Sequence, residues 1–317
     1  MTQRPGGSIQ SAAPLHATGP GGSIYDLGYQ GYEGPRLGRP AAIRALFWHT
    51  VRSCYGIGRG GKAKIAPFVL AGLAVLPAIV GVGVAALAKQ AGEGGEFIEA
   101  SNPIRYENFH GIVSTLVILF CAVQAPELLG RDQRFGVLPI YFSRALARLD
   151  YAVAKVLGLV VSLLLIVLAP YAVLFLGRIF VATDPVTGLS EELPRLLPLL
   201  IQALTTSALL GTIAMAISAF TPRRAYATAG IIAAVLIPTI IVALLSELMT
   251  GPIADWSVLL SPSDVLDATN ATVFDARPES GAVSRSNLEP LAFFAAAALG
   301  VAVALALTIR RYLRIAA

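Results

Sequence analysis

The sequence predicts an all-α integral membrane protein with six transmembrane helices, an interfacial amphipathic helix before the first of them, and both termini in the cytoplasm. Two properties predict this fold: the mean hydropathy is +0.70, and charged residues make up 14% of the 317 residues, where a soluble domain carries about 25%. The third is that the apolar residues fall in six runs, each near the ~20 residues that cross a bilayer. The predicted spans are residues 65–88, 111–129, 152–176, 196–220, 225–249 and 290–309.

The lysines and arginines indicate which side of the membrane each loop faces. With the N-terminus in the cytoplasm and with Lys155 and Glu247 counted at the ends of their spans, the inside holds 18 of the 24 Lys and Arg residues, and the outside holds 14 of the 19 Asp and Glu residues. This orientation is favoured because cytoplasmic loops of membrane proteins are enriched in Lys and Arg. The sequence pI of about 9.4 therefore reflects topology and gives no reason to predict nucleic-acid binding.

Residues 1–40 form a predicted flexible cytoplasmic tail, and residues 41–64 form an interfacial helix followed by a Gly-rich elbow. The start of the tail is rich in Gly, Pro and Ser and lacks an apolar core, so neither a folded domain nor a cleavable signal peptide is predicted there. From Ile43 to Cys54, apolar residues recur at helical spacing and make one continuous stripe. The run is too short and too polar to span a bilayer, which is typical of a helix lying in the membrane interface.

The elbow contains the sequence GIGRGGKA, residues 56–63, which matches the P-loop and dinucleotide-binding patterns. A P-loop follows a β-strand and has Ser or Thr after its Lys, whereas an amphipathic helix precedes this stretch and Ala63 follows Lys62. A dinucleotide site also needs an acidic residue about 20 positions later, where this chain is inside its first span. We therefore predict a flexible elbow whose basic residues contact lipid phosphates, and no nucleotide site.

The spans contain mildly polar residues but no Asp, Glu, Lys, Arg or His deep in the bilayer. Intramembrane charges mark ion and proton relays, so their absence argues against an ion-coupled carrier. No catalytic constellation occurs, the histidines fall in separate segments, and the two cysteines indicate neither a disulfide nor a metal site. Amide and hydroxyl groups inside spans either bond between helices or line a cavity. The candidates for a cavity lining are Ser114, Gln124, Gln202 and Thr239.

Two connecting segments are predicted to carry structure of their own. The cytoplasmic coupling segment, residues 130–151, mixes charged and apolar residues, so it either needs a partner protein to cover it or folds on its own membrane domain. The extracellular loop, residues 251–289, contains SPSDVLDA from Ser261, where Ser at the N-cap and Pro at the first helical position predict a short helix. We expect that helix to dip into the outer leaflet or to cap the extracellular mouth.

This arrangement of spans, interfacial helix and loops resembles the type-2 ABC transporter permeases. The most specific local match is RDQRFGVLPIYFSRALARLDYAVAKVLG, residues 131–158, which is similar to the family's charged cluster, Gly, apolar helix and Ser-Arg, followed by Tyr and Lys entering the third span. The stretch YDLGYQGYEGPRLGR, residues 25–39, also resembles the N-terminus of a bacterial subgroup. The family's usual Pro before Ser-Arg is replaced here by Phe142, which leaves the register of the docking helix open.

The resemblance implies a mechanism as well as a fold. Two permease protomers, expected to be identical, would form the translocation path in the bacterial inner (cytoplasmic) membrane. Two separate ATPase subunits would bind ATP and Mg²⁺ and dock on the coupling segment, so this chain would be neither an enzyme nor a cofactor-binding protein by itself. The mild polarity of the spans suits export of an amphiphilic or lipid-like substrate. The predicted docking residues are Arg131, Asp132, Arg134, Phe135, Gly136, Leu138, Tyr141, Phe142 and Arg144.

Two other classes remain as alternatives to the ABC permease. An ion-coupled secondary transporter would need buried charge, and a six-span chain of that class would need an internal repeat, which is not evident in this sequence. An integral membrane enzyme or scaffold is disfavoured because the sequence shows no polar catalytic cluster. An associated ATPase distinguishes the first class from both alternatives.

Overall fold

The chain divides into two units, Met1–Arg36 and Leu37–Ala317. The computed structural model describes Gly34 and residues 37–92, 95–100, 102, 104–143 and 146–315. The predicted tail therefore lies outside the described residues except for Gly34 and residues 37–40. Helices make up 83% of the structure, and the described residues contain no strand, which confirms the all-α class.

Six helical stretches are long and apolar enough to cross a membrane, as predicted. Helical structure suits such sequences because it pairs the backbone N–H and C=O groups within the segment, which hydrocarbon requires. The fourth stretch departs most from its predicted bounds, since a short helix and a 3₁₀ turn run directly into it. The six stretches are Lys62–Gln90, His110–Arg134, Arg148–Val181, Pro185–Phe220, Arg224–Leu248 and Pro290–Leu313.

The α-helices are numbered in chain order. A π-helical turn at Pro126–Gly130 joins α4 to α5, and 3₁₀ turns at Leu193–Arg195 and Val258–Leu260 precede α9 and α12. The helices are α1 (Gly38–Cys54), α2 (Lys62–Gln90), α3 (Gly95–Ala100), α4 (His110–Ala125), α5 (Arg131–Arg134), α6 (Leu138–Phe142), α7 (Arg148–Val181), α8 (Pro185–Glu192), α9 (Leu196–Phe220), α10 (Arg224–Leu248), α11 (Pro252–Ser257), α12 (Pro262–Phe274), α13 (Gly281–Arg285) and α14 (Pro290–Leu313).

The 34-residue α7 is the central helix of the bundle. It packs against α1, α2, α9 and α14, and its Tyr151, Leu159 and Leu163 are fully buried. Its contact with α1 is close at Gly158, where a Cβ atom would lie 2.6 Å from Thr50 Cγ2. A side chain at this position would force the two helices apart, so the sequence needs glycine there.

Helix α1 begins at Gly38, slightly before residue 41, where the interfacial helix is predicted to start. Leu46, Thr50 and Cys54 of the predicted apolar stripe are buried, whereas Trp48 is exposed. The stripe therefore packs on the rest of the protein, mainly on α7. The location of α1 at the membrane surface remains a prediction.

The Gly-rich elbow forms a series of turns between α1 and α2. Gly56 and Gly58 have φ angles of 67° and 85°, in the left-handed region that favours glycine. A Cβ atom on Gly56 would also lie 2.6 Å from the carbonyl oxygen of Ala63, so both conformation and space require glycine there. A helix rather than a strand precedes this stretch, so it lacks the setting of a P-loop.

A proline interrupts the second span. Pro126 lacks the N–H that would bond to the carbonyl oxygen of Ala122 four residues earlier, and the helix widens there into the π turn. The hydroxyl group of Thr228, on α10, donates to that carbonyl oxygen at 2.7 Å. The neighbouring helix thus supplies the donor that proline lacks.

The residues between α10 and α14 fold back onto the bundle. Ser261 caps α12 by accepting a hydrogen bond from the Asp264 N–H at 3.3 Å, and Pro262 is the first helical residue, as predicted. Residues 264–271 are buried, and α12 packs against α4, α9, α10 and α14. Helix α12 therefore covers the end of the bundle opposite α1.

Candidate functional site

The coupling segment consists of two short helices separated by a tight reversal at Gly136. The Phe135 N–H donates to the Arg131 carbonyl oxygen at 3.1 Å and ends α5, and the Val137 N–H donates back to the Asp132 carbonyl oxygen at 3.2 Å. Gly136 between them has a φ of 63°, which residues with a side chain rarely adopt. The glycine therefore sets where α5 stops and how α6 begins.

Asp132 points into the protein and joins α5 to α7. Its carboxylate accepts a hydrogen bond from the Tyr151 hydroxyl at 2.7 Å and forms an ion pair with Lys155 at 2.8 Å. Lys155 is buried and also donates to the Leu128 carbonyl oxygen in the π turn at 3.0 Å. The charge of Asp132 is therefore engaged inside the chain, and its predicted part in docking stays a prediction.

Gln133 joins the same short helix to two further spans. Its side-chain amide donates to the Ala219 carbonyl oxygen at the end of α9 at 3.0 Å, and to the Tyr312 hydroxyl on α14 at 2.9 Å. The rings of Tyr312 and Tyr151 lie 5.1 Å apart, which connects α14 back to α7. One turn of helix thus holds the ends of α7, α9 and α14 together.

An exposed apolar face remains on the coupling segment. Phe135 is 62% exposed and Ile140 is 61% exposed. The guanidinium carbon of Arg134 lies 4.9 Å from the centre of the Phe135 ring, and Arg131 and Gly136 are also exposed. We call Arg134, Phe135 and Ile140 the docking face.

Other predicted docking residues lie elsewhere. Leu138 is buried in the core, so it differs in exposure from Phe135 and Ile140, and its predicted part in docking stays a prediction. Tyr141 and Phe142 are half-buried, with their rings 5.4 and 5.9 Å from that of Tyr151. Arg144 lies outside the described residues.

A groove of about 770 Å³ opens between α1, the Gly-rich elbow and the coupling segment. We call it the basic groove, because arginine side chains from all three elements line it. Burial, and to a smaller extent the nearby positive charges, lowers the pKa of His49 in its wall, so that imidazole is neutral at pH 7. The lining includes His49, Arg52, Gly58, Arg59, Arg131 and Phe135.

Glu127 connects this region to α10. Its carboxylate pairs with Arg224 at 2.9 Å and lies 3.7 Å from Arg59 of the elbow. At the other side of the coupling segment, Arg39 of α1 makes a two-bond contact with Asp150 of α7, at 2.7 and 2.8 Å. The end of the bundle that carries α1, which we call the α1 end, is therefore crossed by ion pairs.

The four candidates for a cavity lining do not converge on one space. Gln202 is buried and donates to the Leu266 carbonyl oxygen at 3.0 Å, so it fastens α12 to α9. Thr239 contacts the Ser261 hydroxyl at 3.0 Å and lines a pocket under α13, whereas Ser114 donates to its own helix. Gln124 is buried in α4. For Gln202 and Ser114 the observed hydrogen bonds fit helix packing.

Two buried carboxylates on α12 escaped prediction. Asp267 accepts hydrogen bonds from the backbone N–H groups of Glu279 at 3.1 Å and Ser280 at 2.9 Å, and Asp264 accepts from the Ser280 hydroxyl at 2.6 Å. Burial, with a contribution from the charge of Asp264, raises the pKa of Asp267 above its usual range. The i, i+3 spacing of these acids after a capping serine is the signal that could have identified them.

The described residues include no group of three or more His, Cys, Asp or Glu side chains that could hold a metal ion. No protein-family model matches the chain, and no curated protein matches it. The resemblance to type-2 ABC permeases thus depends on the overall arrangement of spans and on residues 25–39 and 131–158.

Proposed function

We propose that this chain is the transmembrane permease subunit of an ATP-driven ABC transporter, in which separate ATPase subunits bind ATP and Mg²⁺. One observation carries the proposal: the four-residue helix at the end of the second candidate span is bonded to the ends of three other helices while its neighbouring side chains stay exposed. A force applied to that helix reaches α7, α9 and α14 together. This is the arrangement that an external ATPase needs to move a membrane domain.

In this mechanism the ATPase contacts the docking face, with Phe135 and Ile140 entering an apolar recess and Arg134 at its edge. Closure of two ATPases on ATP moves α5 and α6. Asp132 passes the movement to α7 through Lys155 and Tyr151, and Gln133 passes it to α9 and α14. Because Lys155 is also bonded to the π turn, the second span moves with them.

The complex proposed here contains two permease protomers, expected to be identical, and lies in a bacterial inner membrane with the α1 end in the cytoplasm. The interiors of the candidate spans are uncharged, which suits export of an amphiphilic or lipid-like substrate. An ion-coupled carrier is the less favoured function, because Lys155 and the other charged residues of the candidate spans lie toward the span ends.

The first test is copurification of the tagged chain from its host in mild detergent, with its partners identified and ATPase activity measured. We expect a stoichiometric ATPase. The double variant Phe135→Asp, Ile140→Asp should lose the ATPase, because both side chains are exposed and burying a charge in an apolar contact is costly. Phe180→Asp is the control, since Phe180 is also exposed and lies at the opposite end of α7.

A second variant separates docking from transmission. Gln133→Ala removes the hydrogen bonds to α9 and α14 but leaves the docking face intact. We expect it to retain the ATPase and to lose coupling of hydrolysis to transport. A preparation without any ATPase, or one in which the docking-face variant keeps its ATPase, contradicts the proposed function and favours a carrier or a membrane enzyme.

A further inference from the structure

We propose that the basic groove binds the phosphate headgroup of an anionic phospholipid. The groove combines positive charge that the chain does not neutralise, a glycine turn with a free N–H, an apolar rim, and a location at the ends of two candidate spans. The inference concerns a lipid site and does not depend on the identity of any ATPase.

The groove carries an excess of positive charge. Its lining contains four cationic side chains, Arg52, Arg59, Arg131 and Lys155, against the acids Glu127 and Asp132. Asp132 is occupied by Lys155, and Glu127 is shared between Arg59 and Arg224, which lies outside the groove.

Two of the arginines are unpaired. In the described part of the chain, the side chains of Arg52 and Arg131 form no ion pair and donate no hydrogen bond, and both are exposed. Arg52 comes from α1 and Arg131 from α5, so the two guanidinium groups reach one groove from different elements. The planar guanidinium group offers paired donors that match phosphate oxygens, and such charge-assisted bonds are stronger than neutral ones.

The Gly-rich elbow adds a backbone donor. Gly58 lines the groove with a φ of 85°, and among the described residues its N–H has no hydrogen-bond acceptor. A Cβ atom at this position would meet no atom within 4 Å, so the space in front of it is open. Backbone N–H groups in turns with positive φ form anion-binding concavities. In this proposal the GIGRGGKA stretch contacts a phosphate group through Gly58, although it lacks the fold of a nucleotide site.

The surroundings favour a lipid over a soluble phosphate. Exposed Ile57 of the elbow lies beside the arginines and forms an apolar rim of the groove. The first candidate span begins at Lys62 and the second ends at Arg134, so the groove lies where these spans leave the membrane. A phospholipid places its phosphate at that level and its acyl chains beside the apolar rim.

The test uses the full-length protein purified in mild detergent and native mass spectrometry with equal amounts of phosphatidylglycerol and phosphatidylcholine of identical acyl chains. We expect wild type to retain phosphatidylglycerol selectively. The double variant Arg52→Gln, Arg131→Gln should lower that retention about tenfold, because it removes two charge-assisted contacts. The matched control is Arg310→Gln, Arg314→Gln, which removes the same charge from exposed residues at the α1 end, on and after α14.

Each further outcome decides the inference. Equal retention by the groove variant and the control overturns it, and so does equal retention of the two lipids by wild type. Millimolar glycerol 1-phosphate and inorganic phosphate are added as competitors: if either displaces the lipid completely, the groove is a general anion site and the assignment to a lipid is wrong. Recovery of retention in Arg52→Lys, Arg131→Lys supports a charge contact and excludes misfolding of the glutamine variant as the cause.

Discussion

Replacing Lys155 with Met should destabilise the protein at the α1 end. The Lys155 side chain is 5% exposed, lies 2.8 Å from the Asp132 carboxylate and donates to the Leu128 carbonyl oxygen at 3.0 Å. Methionine keeps most of the aliphatic length, so the change removes a charge and its donors with little change in volume. Asp132 is then left largely buried, with Tyr151 as its remaining partner in the described chain.

The size of the effect follows from the burial of the pair. Removing one partner of a buried ion pair costs about 3–5 kcal/mol, because the other charge stays uncompensated. Asp132 keeps the bond from Tyr151 and is 15% exposed, so we expect the lower end, ~3 kcal/mol. A chain of this size loses about 2–4 °C of its unfolding midpoint for each kcal/mol, which corresponds to roughly 6–12 °C.

The assay is size-exclusion chromatography with fluorescence detection after heating in detergent. Lys64→Met is the matched control, since Lys64 is exposed at the start of α2. Asp132→Asn and the double variant complete a mutant cycle, and the double variant should be less destabilised than the sum of the single changes by about 1–3 kcal/mol. A Lys155→Met midpoint equal to that of the control, or strictly additive changes, would refute the argument for a buried pair.

Three further predictions concern the packing and the end opposite α1. Gly158→Ala places a methyl group 2.6 Å from Thr50, so it should lower the free energy of unfolding by about 1–3 kcal/mol relative to the control Gly83→Ala. The Cβ atom of the control meets no atom within 4 Å. Equal thermal midpoints of the two variants contradict the close contact. Gln202→Leu leaves the buried His110 ring nitrogen on α4 without its partner and removes the bond to the Leu266 carbonyl oxygen on α12, at a cost of about 1–3 kcal/mol. Faster proteolysis within residues 251–289 is the expected readout, and an unchanged cleavage rate contradicts it. The folded-state pKa of Asp267 is raised, so its contribution to stability is complete below about pH 4 and is lost as the pH rises through that folded-state value. Wild type should therefore exceed Asp267→Asn in thermal midpoint by more at low pH than at neutral pH. A difference between the two midpoints that does not change with pH contradicts this prediction.

The long helices were predictable because hydrocarbon leaves few alternatives to a helix for an uncharged run of that length. The α12 start was predictable for a local reason, since the Ser261 hydroxyl and the Pro262 ring act within one turn. In both cases the information lies in neighbouring residues. No knowledge of the tertiary packing was needed.

The inward direction of Asp132 and Leu138 was not predictable in the same way. The π turn at residues 126–130 rotates the side-chain directions of α5 relative to those of α4. The helical period of the apolar residues in the second span therefore does not predict the side to which Asp132 points. The stretch from Phe135 to Phe142 is apolar at most positions, and its periodicity cannot separate an exposed Phe135 from a buried Leu138. The sequence shows that Tyr151 and Lys155 share one face of α7 at i, i+4 spacing. It does not show that Asp132 on α5 is their common partner.

With Pro126 in the second span, the Ala122 carbonyl oxygen of α4 is bonded to a side chain of α10. In a regular α4 the Ala122 carbonyl oxygen would accept a hydrogen bond from an internal N–H, and the Thr228 hydroxyl would be its second donor. Pro126→Ala would restore that internal N–H, so the oxygen would divide its two lone pairs between α4 and α10. With proline at this position, the Thr228 hydroxyl replaces the donor that α4 lacks. Any tilting of α10 against α4 must therefore either move the π turn with it or break this hydrogen bond, so the π turn links the two spans.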